Sequence, residues 1–170
     1  MTTPIAFSHV GISVPDAKAA IEWYSKVFGW YHIAGPMPIP EGRSPFSDEL
    51  YGRNGKHYGG FKLAHMSTAD HVGIELLEFQ NGYDPEDDFD YERHGVFHFA
   101  VQTPDVEALR DKVVENGGEI ITSVNTMPCT DIMGHTVEYK NAFCKDPFGN
   151  IFEIYSYSYE LQGKLPTKMG

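Results

Sequence analysis

The chain has 170 residues, 41% hydrophobic and 14% aromatic, with 13 basic against 24 acidic side chains and a formal charge of −11. That length is enough to bury a core in one domain or in two fused half-domains. The acidic balance repels phosphate backbones and anionic membrane surfaces, so neither nucleic acid nor a membrane is an expected partner. The start, MTTPIAFSHV, has no basic region followed by an apolar run and does not read as a signal peptide. No apolar stretch approaches the roughly 20 residues of a membrane helix. Two cysteines, Cys129 and Cys144, lack CxxC spacing, which argues against a disulfide framework or a structural zinc site. Both read as buried small hydrophobes, and a cytoplasmic protein is the expectation.

In chain order, the first recognisable element is His9-Val-Gly-Ile-Ser-Val-Pro-Asp16, a β-prone run closed by Pro-Asp. A helical spacing follows, with Ala20, Ile21, Tyr24 and Phe28 apolar and Gly29 as the stop; Asp16 stands at the N-cap position. The segment from about 35 to 55 is rich in Pro and Gly and is expected to be a long loop able to act as a lid. Phe46 and Tyr51 could cover a substrate there, and Arg43 or Arg53 could pair an anionic group. HYGGFKLAHM and DHVGIELLEF then read as strands.

The chain is then written a second time. His98-Phe-Ala-Val-Gln-Thr-Pro-Asp105 repeats the opening, and Val106, Leu109 and Val113 mark a helix capped by Asp105 and stopped at Gly117-Gly118. EIITSV, HTVEYKNAFCKD and NIFEIYSYSYE are expected strands, with Asp146-Pro147-Phe148-Gly149-Asn150 as a turn. The organisation expected is a first βαβββ module over 1–83, an acidic linker over 84–94, a second βαβββ module over 95–160 and a tail over 161–170.

Duplication selects the chemistry. Of eight histidines, His9 and His98 recur at the equivalent place, whereas His32, His57, His65, His71, His94 and His135 have no counterpart. Each copy also ends in an apolar-Glu-apolar strand centre, Ile74-Glu75-Leu76 and Phe152-Glu153-Ile154. Glu75 and Glu78 differ by an odd number, so they face opposite sides of a regular strand. A carboxylate on an inner face costs several kcal/mol unless it is paired, hydrogen-bonded or bound to a metal. Two imidazoles and two carboxylates would suit one divalent metal, Ni, Co, Zn, Mn or Fe(II), with coordination positions left open for a substrate.

Residues 5 to about 157 resemble the vicinal oxygen chelate superfamily, which includes glyoxalase I, methylmalonyl-CoA epimerase, extradiol dioxygenases and the fosfomycin and bleomycin resistance proteins. The resemblance is carried by His9 to Asp16 with the following WYSKVFGW, by Ile74-Glu75-Leu76-Leu77, by His98-Phe-Ala-Val and by Asp146-Pro-Phe-Gly-Asn-Ile-Phe-Glu153. It implies an α+β fold, two βαβββ modules paired around a cupped mixed sheet, with His9, Glu75, His98 and Glu153 as metal ligands. It is similar to the glyoxalase I-like and epimerase-like branches in carrying carboxylate at position 75, where the extradiol enzymes have histidine. It departs from glyoxalase I proper in having Ser13 where those members carry an arginine four residues after the first ligand.

The function this implies is a lyase or isomerase of glyoxalase type, acting on a small 2-oxo or hemithioacetal-like substrate chelated to the metal. Glu153 is expected as principal base and ligand, with Glu75 as its partner. Two alternatives stand beside it, an extradiol-type Fe(II) dioxygenase and a metal-free protein that sequesters a small drug-like molecule. A homodimer is compatible with each.

Overall fold

The computed structural model describes residues 3, 5–83, 92, 94–130 and 133–156, the side chain of Cys129 excepted. Most of the acidic stretch, the C-terminal tail and Tyr157 therefore lie outside the described residues. The chain divides into two compact units, 1–86 and 87–170. Among the described residues no helix is long and apolar enough to cross a membrane.

The first unit runs β1 (His9–Ser13), α1 (Ala17–Phe28), β2 (Tyr31–Ile39), α2 (Pro45–Tyr51), a 3₁₀ turn at Arg53–Gly55, β3 (Phe61–Ser67) and β4 (Gly73–Phe79). Its sheet has the order β1-β4-β3-β2, with β1 parallel to β4 and the other pairs antiparallel. The amides that open α1 are all satisfied by side chains. Asp16 Oδ1 accepts from the amides of Lys18 at 2.9 Å and Ala19 at 3.0 Å, and Glu78 Oε2 accepts from that of Ala17 at 3.0 Å. Gly29 ends the helix at φ 72°, a left-handed conformation that a β-carbon disfavours.

Alternation sorts the strand residues into two faces. Ala64, Met66, Ile74 and Leu76 are buried on the side that α1 covers with Ala17, Ala20, Trp23, Tyr24 and Val27. Glu78 caps α1 from that side, so Glu75 lies on the other face, together with Leu63, His65, Leu77 and Phe79.

The segment expected to be a long loop is largely ordered structure. Its first part is the end of β2, and its centre is α2, capped by Ser44 with Pro45 in the first turn. Pro and Gly misled the reading because β2 is an edge strand, where a missing N–H costs no ladder bond. Pairing with β3 shifts register twice, between His32 and Ala34 and between Ala34 and Met37. Gly35 makes this possible, since a β-carbon there would lie 2.3 Å from the Leu63 carbonyl oxygen.

The second unit runs β5 (Phe99–Gln102), α3 (Val106–Glu115), β6 (Glu119–Ile120), β7 (Asn125–Thr130), β8 (Thr136–Lys145) and β9 (Ile151–Tyr155). β5 is parallel to β9, β9 antiparallel to β8, and β6 and β7 both pair antiparallel with β8. Asp105 caps α3 by accepting from the Ala108 amide at 2.9 Å. The helix stops at Asn116, one residue before the expected glycine pair. EIITSV yields only the two residues of β6, and β7, unsignalled in the sequence, supplies the longer pairing. Pro128 within it hides the strand pattern, yet it fits on a strand that, among the described residues, pairs only with β8.

The expected turn at 146–150 is present, closed by Asp146 Oδ1 accepting from the amides of Phe148 at 2.9 Å and Asn150 at 2.8 Å. Phe152, Ile154, Ala142 and Cys144 are buried on one face of this sheet, and Val106 and Val113 of α3 are buried with them. Burial pushes the Cys144 thiol up to about 11, so at neutral pH it is an inert core residue, as expected.

Candidate metal centre

The two candidate pairs are built by the same register. In the parallel ladder of the first unit Gly11 is the partner of Glu75, and His9 lies two residues earlier on the same face. In the second unit Ala100 is the partner of Glu153, and His98 again lies two residues earlier. Both central partners are small, which leaves the carboxylate uncovered by its ladder neighbour. The outcome is a matched pair of contacts, His9 Nε2 to Glu75 Oε2 at 3.8 Å and His98 Nε2 to Glu153 Oε2 at 3.6 Å.

These separations are too long for hydrogen bonds. They are close to the spacing of two donors on one ion, since ligands at about 2.1 Å with open bond angles stand roughly 3–3.6 Å apart. His98 adds a second indication. Its Nδ1 is buried with no hydrogen-bond partner, and the rings of Phe97 and Phe143 flank it at 4.2 and 5.2 Å. The side chain as a whole is 26% exposed, and its Nε2, 3.6 Å from Glu153 Oε2, stands too far away to hydrogen-bond that carboxylate. Mixed nitrogen and oxygen donors of this kind fit a divalent metal. Among the described residues, no group of three or more His, Cys, Asp or Glu side chains is arranged to hold a metal by itself. What the two units share is a His–Glu pair at the equivalent place.

The pairs differ in their surroundings. Glu75 and His9 are partly exposed, their side chains at 32% and 51%, whereas Glu153 and His98 stand at 10% and 26%. Ser8 Oγ lies 3.1 Å from His9 Nδ1 and can hold that ring with Nε2 toward Glu75. On the other side of Glu75 stands His65, its direct antiparallel partner, with Nδ1 3.9 Å from Oε1. Sequence reasoning set His65 aside because it has no counterpart, and Phe143 holds the equivalent place opposite Glu153. The alternation Phe61, Leu63, His65 was the available signal, but its register against Glu75 was not readable. Asn141, also missed, donates from Nδ2 to Glu153 Oε1 at 2.7 Å.

Of the four residues proposed for substrate contact, Tyr51 is half-buried, its ring 5.8, 5.2 and 5.0 Å from those of Tyr58, Phe61 and Phe79. Burial, and then the charge of Glu75, hold its hydroxyl above the usual tyrosine range, which places it within electrostatic reach of that carboxylate. Phe46 is 75% exposed, and Arg43 and Arg53 are exposed on the surface. α2 is tied down by Asp48, which accepts from the Tyr58 hydroxyl and the Gly42 amide.

Residues 6–154 match the family model of the Glyoxalase/Bleomycin resistance protein/Dioxygenase superfamily. The chain belongs to that superfamily. No curated protein matches it. Among solved structures it is similar to a glyoxylase/bleomycin resistance protein/dioxygenase domain from Frankia sp. EAN1pec, with 17% identity, 92% of this chain and 95% of that one covered, and a TM-score of 0.62. A glyoxalase family protein from Bacillus cereus matches at 15% identity, 91% and 95% coverage and a TM-score of 0.63. The genomically encoded fosfomycin resistance protein FosX from Listeria monocytogenes, complexed with Mn(II) and sulfate, matches at 13% identity, 94% and 98% coverage and a TM-score of 0.56. At these identities the likeness establishes the fold.

Proposed function

We propose that this chain is a metal-dependent lyase or isomerase whose divalent metal is held by His9, Glu75, His98 and Glu153, drawn together within one chain or between two copies. The observation that carries the reading is the repeated register: an imidazole two residues before the small ladder partner of a carboxylate, in both units. One acid beside a histidine carries little weight alone; the same placement at equivalent positions of both units carries more. A bound Ni, Co, Zn, Mn or Fe(II) would act as a Lewis acid toward a substrate carbonyl. The Listeria monocytogenes FosX structure, similar in fold to this chain, holds Mn(II).

The protein groups do the rest. A substrate with two adjacent oxygens suits a site with open positions between two His–Glu pairs. Glu153, the more buried carboxylate, and Glu75 are the two groups that can take and return a proton next to a carbonyl. Tyr51 of α2 packs on Phe79, on the sheet face that carries Glu75. The substrate class is a small 2-oxo or hemithioacetal-like compound.

The reading is tested by metal content, measured by mass spectrometry on gently purified wild type beside His9→Ala and Glu153→Ala. Near-stoichiometric divalent metal in wild type, lost in both variants, supports it. Solvent deuterium incorporation into 2-oxo substrates, followed by NMR, then reads out the proton transfer. Wild type that takes up no metal on addition of Ni, Co, Mn, Zn or Fe(II) sinks the enzyme reading in favour of a small-molecule binding protein. Oxygen uptake with Fe(II) would instead indicate ring cleavage.

A further inference from the structure

The two carboxylates are not held alike, and one difference lies in a side chain that hydrogen-bonds Glu153. Asn141 on β8 donates from Nδ2 to Glu153 Oε1 at 2.7 Å. Its own amide orientation is set from the neighbouring strand, because Asn125, its direct ladder partner on β7, donates from Nδ2 to Asn141 Oδ1 at 3.1 Å. An asparagine that accepts through Oδ1 must present Nδ2 elsewhere, and here that is Glu153. With Oε1 engaged, Oε2 is the oxygen turned toward His98 at 3.6 Å.

The first unit has no such arrangement. Asn141 pairs with Tyr155, two residues after Glu153, and the residue that pairs with Leu77, two after Glu75, is Leu63. A leucine has no donor to offer. Among the described residues Glu75 has no hydrogen-bond donor comparable to Asn141.

We propose that Asn141, oriented by Asn125, is a positioning residue that fixes Glu153 as a one-oxygen metal ligand with Oε2 directed at the His98 side. This rests on the metal reading above. Groups that orient a ligand's second atom in this way change metal affinity by roughly 10–100-fold when removed. The effect passes through the carboxylate; Asn141 itself needs no contact with metal or substrate.

The experiment is calorimetric titration of Mn(II), and separately Co(II), into metal-stripped full-length protein, for wild type, Asn141→Leu, Asn125→Asp and His98→Ala. Thermal melting is recorded for each with and without metal. Asn141→Leu is nearly isosteric and removes both bonds of the relay. Asn125→Asp replaces the donor by an acceptor, so Asn141 turns its Oδ1 toward Glu153. The expected result is a roughly 10–100-fold weaker affinity in Asn141→Leu, weaker binding in Asn125→Asp, and an altered Co(II) absorption spectrum in both. The metal-free melting temperature stays close to wild type while the metal-induced rise shrinks. If Asn141→Leu binds both metals as wild type does while His98→Ala does not, the positioning role is overturned and the metal reading stands. A lower metal-free melting temperature with unchanged affinity also overturns it, since that describes a merely structural asparagine. If wild type binds neither metal, the metal reading fails and takes this role with it.

Discussion

At the scale of the residue, the concentration of constraint is uneven, and two glycines show it. Gly35 stands at φ +89° with the Leu63 carbonyl oxygen 2.3 Å and the Ala64 α-carbon 2.8 Å from where a β-carbon would be. Gly149 has a similar φ of +92° but faces open space. Gly149→Ala therefore carries only backbone strain, about 1 kcal/mol, whereas Gly35→Ala also drives β2 away from β3. Urea unfolding should show a clearly larger loss for Gly35→Ala; equal losses would mean that β2 accommodates the methyl group. In the core, Leu76 is fully buried between the sheet and α1, so Leu76→Ala should cost about 2–5 kcal/mol. Glu153 is a different sort of buried residue. The sequence marked it by its counterpart at Glu75, but the Asn125–Asn141 relay that satisfies it depends on the pairing of β7 with β8, which no local pattern announced.

The element whose behaviour is most open to test is α2. It was legible as an unusual segment from its Pro and Gly content but not as a helix, because seven residues are too few for a periodic signal and its amides are secured by Ser44 and by tertiary contacts. Tyr51 sits against Tyr58, Phe61 and Phe79, and Asp48 accepts from the Tyr58 hydroxyl. That bond holds Asp48 below its ordinary range and pushes Tyr58 up to about 12. A tyrosine whose folded value is raised from 10 stabilises the fold fully below pH 10 and loses that contribution as pH climbs toward 12. The Asp48 contribution is present above its unfolded value of 3.8 and is lost as pH falls through its lowered folded value. Melting curves from pH 8 to 12 should therefore fall more steeply in wild type than in Tyr58→Phe. Parallel curves would show that the bond adds no pH dependence. Tyr51→Ala should loosen α2, raising amide exchange over Pro45–Tyr51 while β4 stays protected.

At the scale of the whole molecule, the central expectation is that neither unit holds a metal alone, since among the described residues neither presents three or more side chains arranged to do so. Addition of Mn(II) should raise the melting temperature of wild type by mass action. His9→Ala and His98→Ala should each remove that rise, although they lie in different units. A rise that survives in His9→Ala would place the metal on the second unit's residues without the first.

The duplicated His-strand-Pro-Asp-helix pattern fixed the α+β class, both capped helices and the strands that carry the candidate ligands, because caps, glycine stops and strand alternation are local consequences of backbone chemistry. The opposite facing of Glu75 and Glu78 followed from the two-residue period alone and is seen in the structure. Edge strands were another matter. β2 and β7 contain Pro36, Pro38 and Pro128, which read as interruptions, and only pairing with β3 and β8 makes them strands. Register decided the surroundings of each carboxylate for the same reason. His65 stands opposite Glu75 and Phe143 opposite Glu153, and Asn141 reaches Glu153 from the adjoining position. Contacts between strands depend on hydrogen-bond pairing between distant stretches of chain, and a one-residue slip would turn each side chain to the other face.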